Sequence, residues 1–231
     1  MKKALIIIGV IIALIVITLA IFIIKDFNQE EKLRQELNEI DSLINFDEFD
    51  YDAINERLEK TISSGDYLVI EKAAKKYLKD TIDITLNIVN IINDEKLVNI
   101  LTINNYQEDG PNFINTKLYI KNAKEQLKSN KAKILKQMDN ETVLSYIENK
   151  NLDSYYIDFY KSLSFSSETE MNKNKQEMEE SINSIIDMLN VYDEVINFLI
   201  ENKNDWTIEG EYIVFSNEQL NNQYNDLLLK L

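Results

Sequence analysis

From Ala4 to Ile24 the chain reads ALIIIGVIIALIVITLAIFII, 21 residues without a charge. At about 1.5 Å per residue this makes a helix of roughly 31 Å, close to the hydrocarbon thickness of a bilayer. Any fold must bury that helix in a core or place it in lipid. The run exceeds the ~7–15 apolar residues of a cleavable signal, and no small-x-small cleavage pattern follows it. Large side chains instead continue through Ile21, Phe22, Ile23 and Ile24. The sequence therefore predicts an uncleaved transmembrane signal anchor at residues 4–24, in preference to a cleaved signal or a buried core helix. Lys2 and Lys3 place residues 1–3 in the cytoplasm by the positive-inside rule, and DFNQEE after Lys25 offers little retention. Residues 25–231 are then expected outside the cell membrane of a bacterium, on a single-pass protein.

That outer part is acidic. Residues 1–25 hold Lys2, Lys3 and Lys25 and no acid, so the remaining 206 residues hold 22 basic and 40 acidic side chains, a net of −18. Such a surface repels phosphate backbones and anionic headgroups, so nucleic acid is not an expected partner, whereas basic proteins and loosely held cations are compatible with it. The chain has neither cysteine nor histidine. It therefore lacks thiol chemistry, disulfides, the commonest general base and the commonest zinc ligands.

Four glycines and one proline are few for a sheet-rich protein, whose turns consume both. Apolar spacing instead predicts helices. Leu33, Leu37, Ile40 and Ile44 form a stripe on a helix from Gln29 to Asn45, which FDEFDYD interrupts. A short helix from Tyr51 to Ser63 follows, with Gly65 as its C-cap. Asp66 opens a long helix carrying Ile70, Ala74, Tyr77, Thr81, Ile84, Ile88 and Ile91, widened by Leu78, Ile82, Val89 and Ile92. Asn104–Asn112 reads as a loop. A helix from about Asn112 to Asp139 turns Leu118, Ile120, Ala123, Leu127, Ile134 and Met138 inward. The stretch 140–163 is one broken helix or two. A long helix runs from a Ser167-x-x-Glu170 capping box through Ile182, Ile185, Leu189, Tyr192, Ile196 and Leu199 to about Asn202. The expected fold is mainly α: a transmembrane helix, then an antiparallel helical bundle with one small C-terminal β-hairpin at about 206–215.

The hairpin is WTIEGEYIVF. A two-residue turn at Glu209-Gly210 would pair Ile208 with Glu211, Thr207 with Tyr212 and Trp206 with Ile213. Alternation puts Trp206, Ile208, Ile213 and Phe215 on one apolar face, with Glu211 at its rim. Two strands alone are marginal, so this face is expected to dock on the bundle, leaving an outer edge that can pair with another strand. Ser216-x-x-Gln219 would cap a closing helix to Leu231.

Two other groups invite a functional reading. Asp47, Glu48, Asp50 and Asp52 are carboxylates of the kind that hold Ca²⁺, but they lack the turn glycine and closing bidentate glutamate of a calcium loop, and a solvated turn suffices. Tyr155, Tyr156, Phe159 and Tyr160, with Leu152 and Leu163, suggest a partner groove; at helical spacing they more simply form core and rim. Carboxylates stand mostly beside Lys or Asn on outer faces, unlike a paired-acid hydrolase, and neither a nucleophile elbow nor a phosphate loop is present. No catalytic, metal or cofactor residue is predicted.

The ending W-x-I-x-x-G … F-S-x-x-x-L … Y-N-x-L (Trp206, Ile208, Gly210, Phe215, Ser216, Leu220, Tyr224, Asn225, Leu227) resembles the C-termini of uncharacterised membrane- or lipid-anchored helical envelope proteins of low-GC Gram-positive bacteria. The resemblance implies an envelope location and carries no functional residues; many such relatives start at a lipobox cysteine, which this chain lacks. The expected role is a non-catalytic protein-interaction or scaffolding component of the envelope. Binding of a small ligand or peptide is the alternative, with a carboxylate-dependent hydrolase third.

Overall fold

The computed structural model describes residues 28–44, 50–164 and 168–231. The predicted anchor, residues 4–24, lies outside the described residues, and among these no helix is long and apolar enough to cross a membrane. The described chain is mainly helical: α1 Asn28–Leu43, α2 Tyr51–Glu59, α3 Asp66–Ile92, α4 Glu95–Asn99, α5 Ile103–Asp109, α6 Ile114–Gln137, α7 Asn140–Ser145, α8 Ser154–Ser164, α9 Glu168–Glu201, the strands β1 Trp206–Glu209 and β2 Tyr212–Phe215, and α10 Glu218–Leu228. Two compact units are present. Among the described residues, those in 28–87 and 130–181 form an N-terminal unit, and those in 88–129 and 182–231 a C-terminal unit.

In the N-terminal unit, Leu33, Leu37, Ile40 and Ile44 are buried as their spacing predicts. They share a core with Ile54 of α2, with Ile70, Ala74, Tyr77, Leu78 and Ile82 of α3, and with Phe159, Tyr160 and Leu163 of α8. Lys131 of α6 meets Glu179 of α9 at 3.1 Å, and Lys175 of α9 meets Asp139 just past α6. Partners that rise along one helix and fall along the other make this pair antiparallel.

Helix α2 stops at Glu59 and not at Ser63, for an identifiable reason. Glu71, buried on α3, accepts the backbone N–H groups of Ile62 (3.0 Å) and Ser63 (2.9 Å). Lys75, one turn later, donates to the carbonyls of Arg57 (2.8 Å) and Lys60 (2.6 Å). These side chains satisfy an extended segment and the end of α2, which another helical turn would not reach. Gly65 is therefore not a C-cap; its φ of +61° makes the turn into α3. The stretch 140–163 resolves as α7 and α8, parted where Asn149 (φ 60°) and Asn151 (φ 51°) adopt the left-handed conformation that asparagine tolerates.

In the C-terminal unit, the loop expected at Asn104–Asn112 is largely the helix α5. Thr102 caps it by accepting from the Asn105 N–H, and Tyr106 is buried, so packing recruits polar residues into a helix. Asp109 then accepts the N–H groups of Asn115 (3.2 Å) and Thr116 (2.7 Å), which starts α6 at Ile114. Burial alone would raise the Asp109 pKa, but these donors outweigh it and hold it below the ordinary carboxylate value. Leu118, expected inside, is 56% exposed, while Ile120, Ala123 and Leu127 are buried. Lys117 reaches Asp193 and Asn197, and Lys124 reaches Asp193 and Asn190, so α6 and α9 are antiparallel here too. The predicted cap Ser167 lies outside the described residues. Helix α10 is capped by Asn217 rather than Ser216, its side chain accepting from Leu220 N–H at 3.0 Å.

Candidate functional site

The hairpin forms where expected, but its register differs. Trp206 pairs with Phe215, Thr207 with Val214, Ile208 with Ile213 and Glu209 with Tyr212, so the turn residues are Gly210 and Glu211. Gly210 has φ +63° while Glu211 is not in the left-handed region, the pattern of a type II′ turn with glycine first. A turn at Glu209-Gly210 would have put a glutamate at that first position, where a side chain is strained. Because the register moves by a whole pleat, the faces survive: Trp206, Ile208, Ile213 and Phe215 still share one side.

That side rests on an aromatic cluster within the C-terminal unit. Trp206 stacks on Phe113 at 6.2 Å between centroids, and Phe113 meets Tyr106 edge-on at 5.6 Å. Phe215 lies 5.3 Å from Tyr224 of α10 and 5.8 Å from Phe198 of α9. The hydroxyls of Tyr106 and Tyr224 meet at 3.2 Å. Burial, chiefly, drives both phenol pKa values upward, so they stay neutral hydrogen-bonding groups.

The packing is incomplete. Trp206, Ile208, Ile213 and Phe215 are only half-buried, as are Leu220, Tyr224, Leu227 and Leu228, and no residue of α10 is buried. On the outer face Tyr212 is 74% exposed and Val214 40%. Leu229, after α10, is 83% exposed.

The edges of the sheet are open as well. Residues flanking a two-residue turn form a hydrogen-bonded pair, so Glu209/Tyr212 and Thr207/Val214 carry the ladder. The bond from Ser216 N–H to Asp205 carbonyl, 2.7 Å, continues this alternation. The backbone groups of Ile213 and Phe215 therefore point away from β1, and among the described residues nothing hydrogen-bonds to them.

The other sequence candidates are accounted for differently. Asp50 caps α2 by accepting from Ala53 N–H at 3.0 Å, and Asp52 lies in its first turn; Asp47 and Glu48 lie outside the described residues. Among the described residues no group of three or more carboxylates is placed to hold a metal ion. Phe159 and Tyr160 are core, with the Tyr160 hydroxyl donating to Val143 carbonyl at 3.1 Å. Tyr155 and Tyr156 form the rim: Tyr155 and Tyr67 both donate to buried Glu30, and Tyr67 meets Tyr156 edge-on at 5.0 Å.

Two features escaped sequence reasoning. One is the buried charge cluster of the N-terminal unit, where Lys75 is 3.0 Å from Glu71 and 3.7 Å from Glu36, itself 3.2 Å from Arg57. Its available signal was Glu71 and Lys75 four residues apart, flanked by the core positions Ile70, Ala74 and Leu78. The other is a polar cleft of about 570 Å³ in the C-terminal unit, lined by Glu95, Asn99, Asn105, Glu108, Thr116 and Tyr119, among others. Helix α5 forms one wall, so reading it as loop hid the cleft.

No family model matches the chain, and neither a curated protein nor a solved structure is found to be similar to it.

Proposed function

We propose that this is a single-pass membrane protein, anchored by residues 4–24 with its N-terminus in the cytoplasm, whose acidic helical part binds or scaffolds another component of a bacterial envelope without catalysing a reaction. The observation that carries the interaction reading is the half-covered C-terminal face. A hairpin and an amphipathic helix present aromatic and aliphatic side chains to one another, yet leave Tyr212, Val214 and Leu229 in solvent. Tyr212 and Val214 stand together on β2, and grouped exposed apolar residues are what protein-binding surfaces use. The apolar run Ala4–Ile24, the lysines before it and the resemblance of the C-terminal residues to anchored envelope proteins support the location.

In-cell crosslinking followed by mass spectrometry tests the interaction. The expected result is a reproducible envelope partner attached through residues near the hairpin; a clean experiment without any partner above background counts against it. Protease treatment of intact protoplasts tests topology, and protection of the helical domain would overturn the outside placement.

The polar cleft supports a second reading, binding of a small polar ligand. Its walls offer amide, hydroxyl and carboxylate groups, with Lys96 as the one lysine or arginine in the lining. A ligand-dependent rise in melting temperature across a panel of envelope sugars, amines and peptides would establish it, and a flat panel would remove it.

A further inference from the structure

We infer that the free edge of β2 takes up an extended, basic segment of a partner protein as a third strand. This rests on the interaction reading above and specifies its chemistry.

Ile213 and Phe215 direct their N–H and C=O groups outward, and no described residue satisfies them. An added strand pairs with those groups, gaining directional hydrogen bonds that require no particular sequence. Helix α10 meets β2 through Phe215 and Tyr224, on the inner face, while Tyr212 and Val214 stand on the opposite one.

Side chains then decide which segment fits. Residues of the incoming strand alternate between faces. Those on the outer face lie beside Tyr212 and Val214 and gain most if they are aliphatic or aromatic. Glu209 and Glu211, both exposed at the turn, have no basic partner among the described residues. From residue 205 to 231 the chain carries Asp205, Glu209, Glu211, Glu218 and Asp226 against the single base Lys230. Lysine or arginine near the incoming strand's end at the turn meets this field favourably, whereas acids are repelled. The same field disfavours a second copy of this chain, which would bring an identical acidic surface to the edge.

The test uses the full-length chain in detergent micelles and two blocked peptides, one alternating lysine with valine, the other glutamate with valine. Amide hydrogen exchange is read at Ile213 and Phe215, and affinity from the fluorescence of Trp206, the sole tryptophan. The lysine peptide is expected to slow exchange at both amides, and the glutamate peptide to leave it unchanged. Glu209→Lys with Glu211→Lys should weaken the lysine peptide about tenfold, and added salt should weaken it in the wild type. Ile213→Pro removes an outward N–H without removing a ladder bond, so binding should be lost while Trp206 emission stays native; if that variant misfolds, the charge-reversal pair decides. Unchanged exchange with the lysine peptide overturns the proposal, as does equal binding of both peptides. Slowing that rises with protein concentration alone also overturns it, because the occupant is then a second copy. A photo-crosslinker at Tyr212, compared in cells with one at exposed Lys128, separates this inference from the broader reading. Capture of a basic segment at Tyr212 supports both. Capture only at Lys128, or of a segment without basic residues, sinks the strand and spares the interaction, and capture at neither sinks both.

Discussion

The indole N–H of Trp206 donates to the carbonyl of Leu199 at 2.8 Å. Leu199 belongs to the last turn of α9, where carbonyls have no partner within the helix. Its neighbour Phe198 is served by the N–H and side-chain amide of Asn202, and Ile200 by the N–H of Lys203. The hairpin is thus tied to the helix end by a hydrogen bond as well as by the stacking of Trp206 on Phe113.

Two substitutions separate those contributions. Trp206→Phe keeps an aromatic ring and leaves the Leu199 carbonyl unserved, so urea denaturation should show a loss of about 1 kcal/mol. Trp206→Ala also removes the ring and should lose about 2–3 kcal/mol, less than for a fully buried aromatic because the side chain is half-exposed. Any weakening of partner capture by Trp206→Ala should track the fraction unfolded.

Gly110 is required for space, since its φ is −73°. A Cβ there would collide with the Tyr106 carbonyl and stand 3.2 Å from the Phe113 ring and 3.3 Å from Trp206. Gly110→Ala should therefore destabilise by about 1–3 kcal/mol, as overpacking does, and blue- or red-shift Trp206 emission as the stack is displaced. An unchanged spectrum and melting curve would refute this close approach.

The Glu71–Lys75 pair predicts both a coupling and a pH dependence. Lys75→Met should cost roughly 3–5 kcal/mol by leaving Glu71 buried without its cation, and Glu71→Gln with Lys75→Met should cost less than the two singles combined. Burial by itself raises the Glu71 pKa, but Ser63, Lys75 and Ile62 outweigh it and bring the value below the ordinary 4.5. A depressed carboxylate contributes stability above its unfolded pKa and loses it as pH falls through the folded one. Chemical denaturation from pH 6 to pH 2 should accordingly lose stability below about pH 4.5, less steeply in Glu71→Gln.

Asp41 has the opposite sign. Burial raises its pKa above the ordinary 3.8, and its Oδ1 is enclosed without a hydrogen-bond partner among the described residues. The stability linked to a raised carboxylate pKa is present below the unfolded value and lost as pH rises through the folded one. Asp41→Asn should therefore raise the melting temperature at neutral pH, with the advantage fading toward pH 3.8.

The helices of this chain were legible because their apolar residues recur with helical spacing; Leu33 to Ile44 and Ile70 to Ile82 needed nothing else. The hairpin faces were legible for the same reason, since a period of two tolerates the pleat-sized register error that Gly210 corrected. Boundaries decided by long-range side chains were not legible. Nothing near Lys60 announces that Glu71 and Lys75 will hold the chain extended, and nothing near Asn104 announces that burial of Tyr106 will make α5. Phe113, at φ +48° and fully buried, is the sharpest case. A left-handed conformation costs an ordinary residue about 1–2 kcal/mol, and burial against the rings of nearby Tyr106 and sequence-remote Trp206 helps offset it.

The absence of any buried residue in α10 has a kinetic meaning. A helix that removes so little apolar surface from water has a small free energy of opening, well below that of the buried core of its own unit. It should detach and redock many times before the rest of the chain unfolds once. Each excursion uncovers Phe215 and Tyr224, so the apolar surface exposed at this end alternates between a modest and an enlarged version. For the interaction proposed above, affinity would then be set by an opening equilibrium as well as by contact, and substitutions at Leu220 or Leu227 should change it without touching what is bound.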